Sequence, residues 1–371
     1  MKIAFLLHTY FPYGGLQRDL FAVASRCAEA GHEVRIHAQR WEGERPAGCD
    51  VNCLPVNGRS NHARAQRFAA EAVAAAEAWD ADRIVGFDKM PGLDLYFAAD
   101  PCLVDKAHGE RSRLYRLTPR FRQFAAMERG VFGSEASTRI LLLDGRQEPV
   151  YRRWYDTHPD RFVHLRPGVA RDRRMGADAD ALRRAGRAAL GVADETHLLL
   201  LLGSDFHRKG ADRAICALAA LPADVRERTR LLLVGADSPK RMQRLASRLR
   251  VADAVEFSPG REDVPMLLQA ADLLLHPARV ENTGTVLLEA LVAGLPVLTT
   301  AACGYAPHID SAAAGVVLRE PFRQAALEAA LLRMLAQGRG NFRRRALAYA
   351  ANTDLYGMHD QVLKEIEVGY E

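Results

Sequence analysis

Apolar residues along this 371-residue chain fall in short continuous runs, not in alternation. Residues 3–7, 33–38, 83–87, 95–99, 139–143 and 162–165 read as strands, with 16–30 as the first helix. A strand that is apolar at successive positions must bury both faces. That is the condition of a parallel sheet covered by helices on each side. A second series follows at 197–202, 230–234, 254–257, 272–276, 296–299 and 315–318, again with helical periodicity between the runs. Residues 166–187 (RPGVARDRRMGADADALRRAGR) are polar and hold no strand run, so the domain boundary is placed near their start. The pattern predicts an α/β chain with two Rossmann-like, doubly wound parallel-sheet domains, residues 1–168 and 169–350, facing a central cleft. Residues 351–371 are expected to form an amphipathic helix that packs back on the first domain.

Bulk chemistry narrows this only slightly. The net charge of +5 is too small to argue for a nucleic-acid partner, and none is expected. Cys49 and Cys53 stand as C-x3-C without a second pair, so no zinc spacing is present and the six cysteines read as reduced thiols of a cytoplasmic protein. The N-terminal apolar stretch stops at Leu7 with no small-residue cleavage site, and reads as a strand, not a leader. No run approaches the ~20 apolar residues of a membrane span.

Ligands of open α/β sheets bind beyond the carboxyl ends of the strands, so the loops there carry the candidate chemistry. After the first strand, Gly14 and Gly15 open a helix whose free N–H groups suit a phosphate. After the strand 197–202, Arg208 and Lys209 precede Gly210 and another helix. A cation about 4 Å from a phosphate is worth roughly 4 kcal/mol at an effective dielectric of 20. In HPARVENTGTVLLEALVAGLPVLTT, Glu281 and Glu289 stand eight residues apart, and Asn282, Thr283, Gly284 and Thr285 lie between them at a helix start. If the chain is helical from Glu281, then Glu281, Thr285 and Glu289 share a face with the carboxylates roughly 12 Å apart. That is too far for a cooperating acid and base, and about right to grip the two polyols of a nucleotide sugar. Asp80-Ala-Asp82 and Asp178-Ala-Asp180 match D-x-D, but sit in polar turns and read as capping and solvated acids.

The stretches HTYFPYGGLQRDLFAVAS, RIVGFDKMPGLDLYFAAD, GSDFHRKGADRAI and AADLLLHPARVENTGTVLLEA, with the E-x7-E spacing, resemble retaining glycosyltransferases of family 4, which have the GT-B fold. Within them, the lipopolysaccharide core glucosyltransferases are the nearest in pattern, and the resemblance spans essentially the whole chain. It implies a UDP-sugar donor, a lipopolysaccharide inner-core acceptor, and no metal or other cofactor. It further implies that Arg208 and Lys209, joined by Arg173, hold the diphosphate. Glu289 then takes the ribose hydroxyls, Arg261 lies against uracil, and Glu281 contacts the donor hexose near the reacting carbon. Gly14, Gly15 and Asp19 close over the donor, and Asp100 orients or deprotonates the accepting hydroxyl. UDP-glucose-using relatives carry small residues where this chain has Asn282 and Thr283, so UDP-galactose and UDP-N-acetylgalactosamine stand as alternative donors. An epimerase or hydrolase of nucleotide sugars on the same fold is a further alternative.

Residues 103–132 add a location. Lys106, Arg111, Arg113, Arg116, Arg120, Arg122 and Arg129 outnumber Asp105, Glu110 and Glu128 by four, with Leu114, Tyr115, Leu117, Phe121 and Phe124 interleaved. Each basic residue near an anionic leaflet contributes about 1 kcal/mol. The segment is expected to seat the protein peripherally on the inner face of the inner membrane, beside its lipid-linked acceptor.

Overall fold

The computed structural model describes residues 1–12, 14–109 and 111–369; Tyr13 of the glycine loop and Glu110 of the basic segment lie outside them. The chain forms two compact units, residues 1–168 with 357–371, and residues 169–356. The return to the first unit therefore comes after Tyr356, where the helix Met358–Glu367 packs on the helix Gly15–Glu29.

In the first unit seven strands form one sheet: β1 (Lys2–Tyr10), β2 (Glu33–Trp41), β3 (Cys49–Cys53), β4 (Arg83–Gly86), β5 (Leu95–Ala98), β6 (Arg139–Leu142) and β7 (Phe162–His164). Their order is β3-β2-β1-β4-β5-β6-β7, with every pairing parallel. The second unit has β8 (His197–Leu202), β9 (Thr229–Val234), β10 (Val255–Ser258), β11 (Leu273–His276), β12 (Val297–Thr300) and β13 (Gly315–Leu318), ordered β10-β9-β8-β11-β12-β13 and again parallel.

The continuous apolar runs have a direct structural cause. Ala4 and Leu6 enter one core of the first unit, while Ile3, Phe5 and Leu7 enter the core on the other face. Along β8, Leu198, Leu200 and Leu202 face one core and Leu199 and Leu201 the other. Each such Leu, Ile or Phe side chain, fully buried, contributes about 1.5–3 kcal/mol, so both faces of these strands select apolar residues.

Three features depart from the sequence reading. The edge strand β3 was not expected: only Val51 of CDVNC is buried, and one apolar residue gives no strand signal. β1 and β2 run three residues past their expected ends, to Tyr10 and Trp41, whose rings stack with centroids 3.8 Å apart. The polar segment 166–187 contains the start of a helix, Ala179–Ala189, whose Arg183 and Arg187 turn inward while Arg184 stays exposed. Arg183 Nη2 and Arg187 Nη1 meet the two carboxylate oxygens of Asp272 at 2.6 and 3.2 Å, and Arg187 is 2% exposed. Of the D-x-D acids, Asp82 accepts the Lys2 backbone N–H at 2.7 Å, capping a strand, while the Asp178 side chain makes no helix-capping bond.

Sheet order places the chemistry. In each sheet the chain winds outward from a central strand, then crosses to its other side, at β1/β4 and at β8/β11. The connections leaving such neighbouring strands diverge and open a crevice at their carboxyl ends.

Candidate functional site

In the second unit that crevice is built from the ends of β8 and β11. Beyond β8, Gly210 has φ +78°, and a Cβ there would lie 2.0 Å from the Pro277 carbonyl oxygen. Only glycine lets the loop 203–210 press against the segment after β11, which brings Arg208 and Lys209 to Glu281. The Lys209 ammonium pairs with Glu281 Oε2, and Arg208 Nη1 reaches the same oxygen at 3.2 Å. Lys209 and Glu281 are 11% and 10% exposed, whereas Arg208 is 37% exposed and offers much of its guanidinium outward.

Burial favours the neutral acid at Glu281, but His276, Lys209 and Arg208 prevail and hold its carboxyl far below the ordinary carboxylate range. His276, the last residue of β11, was not singled out in the sequence. It is fully buried with Nε2 3.8 Å from Glu281 Oε2, and burial lowers its pKa, so the ring stands neutral behind the carboxylate. The sequence signal was available: a histidine ending an otherwise apolar strand.

The shared helical face expected for Glu281, Thr285 and Glu289 does not form. Glu281 is extended and bridges to Cys303, and the helix Thr285–Val292 begins only after Gly284, which is left-handed at φ +78°. A left-handed residue cannot continue a right-handed helix, so only Thr285 and Glu289 keep helical spacing. Asn282 is 8% exposed, and the Thr283 carbonyl is tied to the Tyr305 N–H at 2.7 Å.

Arg173 stands beside Glu289. Its Nε lies 3.7 Å from Glu289 Oε1, with both side chains buried, and its Nη1 bonds Asp172 at 2.9 Å. Arg261, beyond β10, is held flat by Asp263 through bonds of 2.8 and 2.6 Å. Its guanidinium plane is thus oriented before any ligand arrives.

In the first unit, Gly14 caps the helix Gly15–Glu29; a Cβ there would collide with the Gln17 side chain, which donates to the Thr9 carbonyl at 3.0 Å. A Cβ at Gly15 would meet no described atom within 4 Å. Asp19, four residues on, stands 3.1 Å from His359 Nε2 on the last helix. Asp100 follows β5 at an exposed bend, and its carbonyl accepts the Tyr151 hydroxyl at 2.9 Å. A pair the sequence reading missed lies at the ends of β1 and β4: His8 Nδ1 is 3.0 Å from Asp88 Oδ2.

The basic segment divides. Arg111, Arg113, Arg120 and Arg122 are exposed, as are Leu114 at 75% and Leu117 at 62%. Lys106 and Arg116 are half-buried, and Arg116 Nη1 contacts His108 at 2.8 Å. Glu128, counted as a surface acid, is fully buried. Burial opposes its ionisation, yet Lys89, Tyr155 and the Leu103 N–H together hold its carboxyl below the ordinary range. Among the described residues no helix is long and apolar enough to cross a membrane, and no cluster of three His, Cys, Asp or Glu is placed to hold a metal ion.

Two doubly wound parallel sheets, with a paired Arg-Lys and a carboxylate at the crossover of the second, define a transferase of the GT-B fold. The chain belongs to the group 1 glycosyl transferases: residues 183–353 match that family. It is 44% identical over 373 residues to the lipopolysaccharide glucosyltransferase WaaG of Escherichia coli K12, spanning 100% of both chains. The crystal structure of WaaG, a glycosyltransferase involved in lipopolysaccharide biosynthesis, matches with a TM-score of 0.96 and 44% identity, over 99% of this chain and 100% of that one. Anabaena HepE, solved with UDP-glucose, shares the fold at a TM-score of 0.75 and 18% identity, over 99% of each chain.

Proposed function

We propose that this glycosyltransferase moves a hexose from a UDP-sugar to inner-core heptose of lipopolysaccharide, with retention, while seated on an anionic membrane face. The observation that carries the reading is the Arg208–Lys209–Glu281 cluster at the end of β8 and β11. When the bond from the anomeric carbon to the diphosphate oxygen breaks, UDP leaves with the electron pair and the sugar centre becomes positive. Arg208 and Lys209 are fixed where the new negative charge develops, so little reorganisation is needed at the moment of reaction. Glu281, held ionised by its neighbours, is a poor proton donor and a good electrostatic partner for the positive sugar centre.

Glu289 takes the ribose and Arg261 the base, and Arg173, 3.7 Å from Glu289, joins Arg208 and Lys209 at the diphosphate. Gly14, Gly15 and Asp19 are the first unit's donor contacts. Asp100 orients the accepting hydroxyl or takes its proton. The exposed Arg111, Arg113, Arg120 and Arg122, with Leu114 and Leu117, meet the lipid surface. Two or three protein cations supply the leaving-group charge, so the reading calls for no metal. Donor identity rests on Asn282 and Thr283: glucose is the reading inherited from WaaG, and galactose or N-acetylgalactosamine are the substituted hexoses that polar side chains there would favour.

A thermal-shift series tests it. UDP and one UDP-hexose should raise the unfolding midpoint well above buffer alone, since a ligand at 100 times its Kd adds about 2.7 kcal/mol. The best stabiliser among the glucose, galactose and N-acetylgalactosamine forms should also be the one consumed with a heptose-terminated core acceptor. If no UDP species shifts the midpoint, the donor reading fails.

A further inference from the structure

Glu128 has no part in the chemistry above, yet it is a heavily bonded carboxylate of the first unit. It sits on the helix Pro119–Phe132 with its side chain fully buried. The Lys89 ammonium pairs with its Oε2, and the Tyr155 hydroxyl donates at 2.6 Å. The Leu103 N–H donates at 2.9 Å and the Val104 N–H at 3.2 Å, so the carboxylate also caps the short helix Leu103–Gly109.

The same group of atoms holds the stretch Asp100-Pro101-Cys102. Lys89 Nζ donates a second bond, 2.9 Å, to the Pro101 carbonyl. The Asp100 carbonyl takes the Tyr151 hydroxyl, and the Cys102 N–H donates to Gln147 Oε1 at 3.1 Å. Each of the three residues is therefore fastened by at least one polar bond. Lys89 bonds both the stretch and the buried carboxylate of the basic helix, and Cys102 Sγ adds a direct link, donating to Glu128 Oε1 at 3.4 Å. Stability alone does not call for this arrangement, because well-packed apolar residues commonly replace a buried ion pair at no loss. What apolar packing lacks is direction: only the charged pair fixes the Pro101 carbonyl, and with it the backbone that sets the Asp100 side chain.

We infer that Lys89 and Glu128 are positioning residues for the acceptor side of the reaction, acting through the backbone of Asp100–Cys102 and tying its geometry to the seat of the basic helix. The inference rests on the reading of Asp100 as the residue at the accepting hydroxyl. Misplacing such a group by about 1 Å costs on the order of a hundredfold.

The experiment compares Lys89→Met, Glu128→Gln and Asp100→Asn in the full chain. Glu128→Gln leaves no unpaired buried carboxylate and keeps the Lys89 bond to the Pro101 carbonyl, so it is the variant that should fold if Lys89→Met does not. Calorimetric affinity for UDP should stay within about twofold of wild type in all three, while transfer kcat falls ten- to hundredfold. Combining Lys89→Met with Asp100→Asn should cost little beyond Asp100→Asn alone, because groups acting as a unit are not additive. Lys89→Met with normal kcat beside a crippled Asp100→Asn overturns the inference and spares the Asp100 reading. Asp100→Asn with normal transfer sinks that reading and the inference with it. Loss of UDP affinity and of helical signal in step with kcat would mark the pair as structural only, which also overturns it.

Discussion

Arg173 Nε stands 3.7 Å from Glu289 Oε1, and both side chains are less than a tenth exposed. The guanidinium expected at the diphosphate thus lies against the carboxylate expected at the ribose. A buried charge that loses its partner is costly, whereas removing both can be nearly neutral. Arg173→Met should therefore destabilise the second unit by about 2–4 kcal/mol. Arg173→Met with Glu289→Gln should recover much of that, with a coupling of about 0.5–3 kcal/mol. Urea unfolding of the four proteins gives the cycle; additive losses would show that the two groups do not act on each other.

Lys209 and Arg208 converge on one oxygen of Glu281, so each group at the donor end is oriented by the other two. Lys209→Ala and Glu281→Ala should each lose about a hundredfold or more in transfer rate, the size of one preorganised charge contact. Glu281→Ala should leave UDP affinity equal or tighter, because it frees both cations, while Lys209→Ala weakens it. Transfer assays alongside calorimetry separate the two effects, and full activity in either variant defeats the assignment.

Both sheets were legible because burial on two faces leaves a compositional trace. What was not legible is instructive. β3 hides because an edge strand with one buried residue has no periodic signal. The helical placement of Glu281 did not hold, because Gly284 could have been an ordinary helix start. Its left-handed φ, set by where the chain must turn, moves Glu281 off the helix and into a bridge with Cys303. Glu128 was counted with the surface acids, and Arg187 was read only as the end of a polar segment. Their partners, Lys89 and Asp272, lie 39 and 85 residues away, and no local pattern announces a charge that tertiary packing will bury. The family resemblance pointed to Arg208, Lys209, Glu281 and Glu289 as site residues, but not to which of them touch.

His8 and Asp88 give the first unit a pH dependence. Burial works against the charged imidazole, but Asp88 and the Ala65 carbonyl outweigh it and raise its pKa above 6.5. Burial likewise works against the Asp88 carboxylate, and His8 overcomes it to lower that pKa. A raised histidine contributes stability that is fully present below 6.5 and lost as pH rises through the folded value. The lowered aspartate contributes stability present above 3.8 and lost as pH falls. The gap in unfolding free energy between wild type and His8→Asn should thus be widest between the two ordinary values of 3.8 and 6.5, roughly 1–3 kcal/mol, and narrow as pH rises through the raised folded value of His8. Urea titrations across that window measure it; a gap that widens with rising pH would mean the ring is held neutral.

Asn282 is buried directly beside Glu281, and the Thr283 backbone is fixed by Tyr305, so neither side chain is free to withdraw from a sugar bound there. Replacing both with alanine should shift the donor ratio toward glucose by about tenfold, one polar contact's worth of discrimination. Competing UDP-glucose against UDP-N-acetylgalactosamine in one reaction reads the ratio directly, and an unchanged ratio removes these residues from donor choice.

Leu114 and Leu117 are exposed at 75% and 62% in a segment whose arginines also face outward, an arrangement water alone does not reward. Arg120 lies over Phe124 at 5.4 Å and Arg111 over Tyr115 at 5.8 Å, so charge and apolar surface are presented side by side. At a lipid surface the arginines meet headgroups while the leucines enter the acyl boundary. Two kinds of variant separate these contributions. Arg120→Glu with Arg122→Glu should abolish the salt sensitivity of binding to phosphatidylglycerol vesicles and weaken it by on the order of tenfold or more, from about 1 kcal/mol per lost basic residue. Leu114→Ser with Leu117→Ser should weaken binding at every salt concentration, by roughly tenfold or more, since a buried leucine is worth about 1.5–3 kcal/mol. Cosedimentation at low and high salt distinguishes the two signatures. Equal binding of all variants to anionic and neutral vesicles would mean that this segment does not touch the membrane.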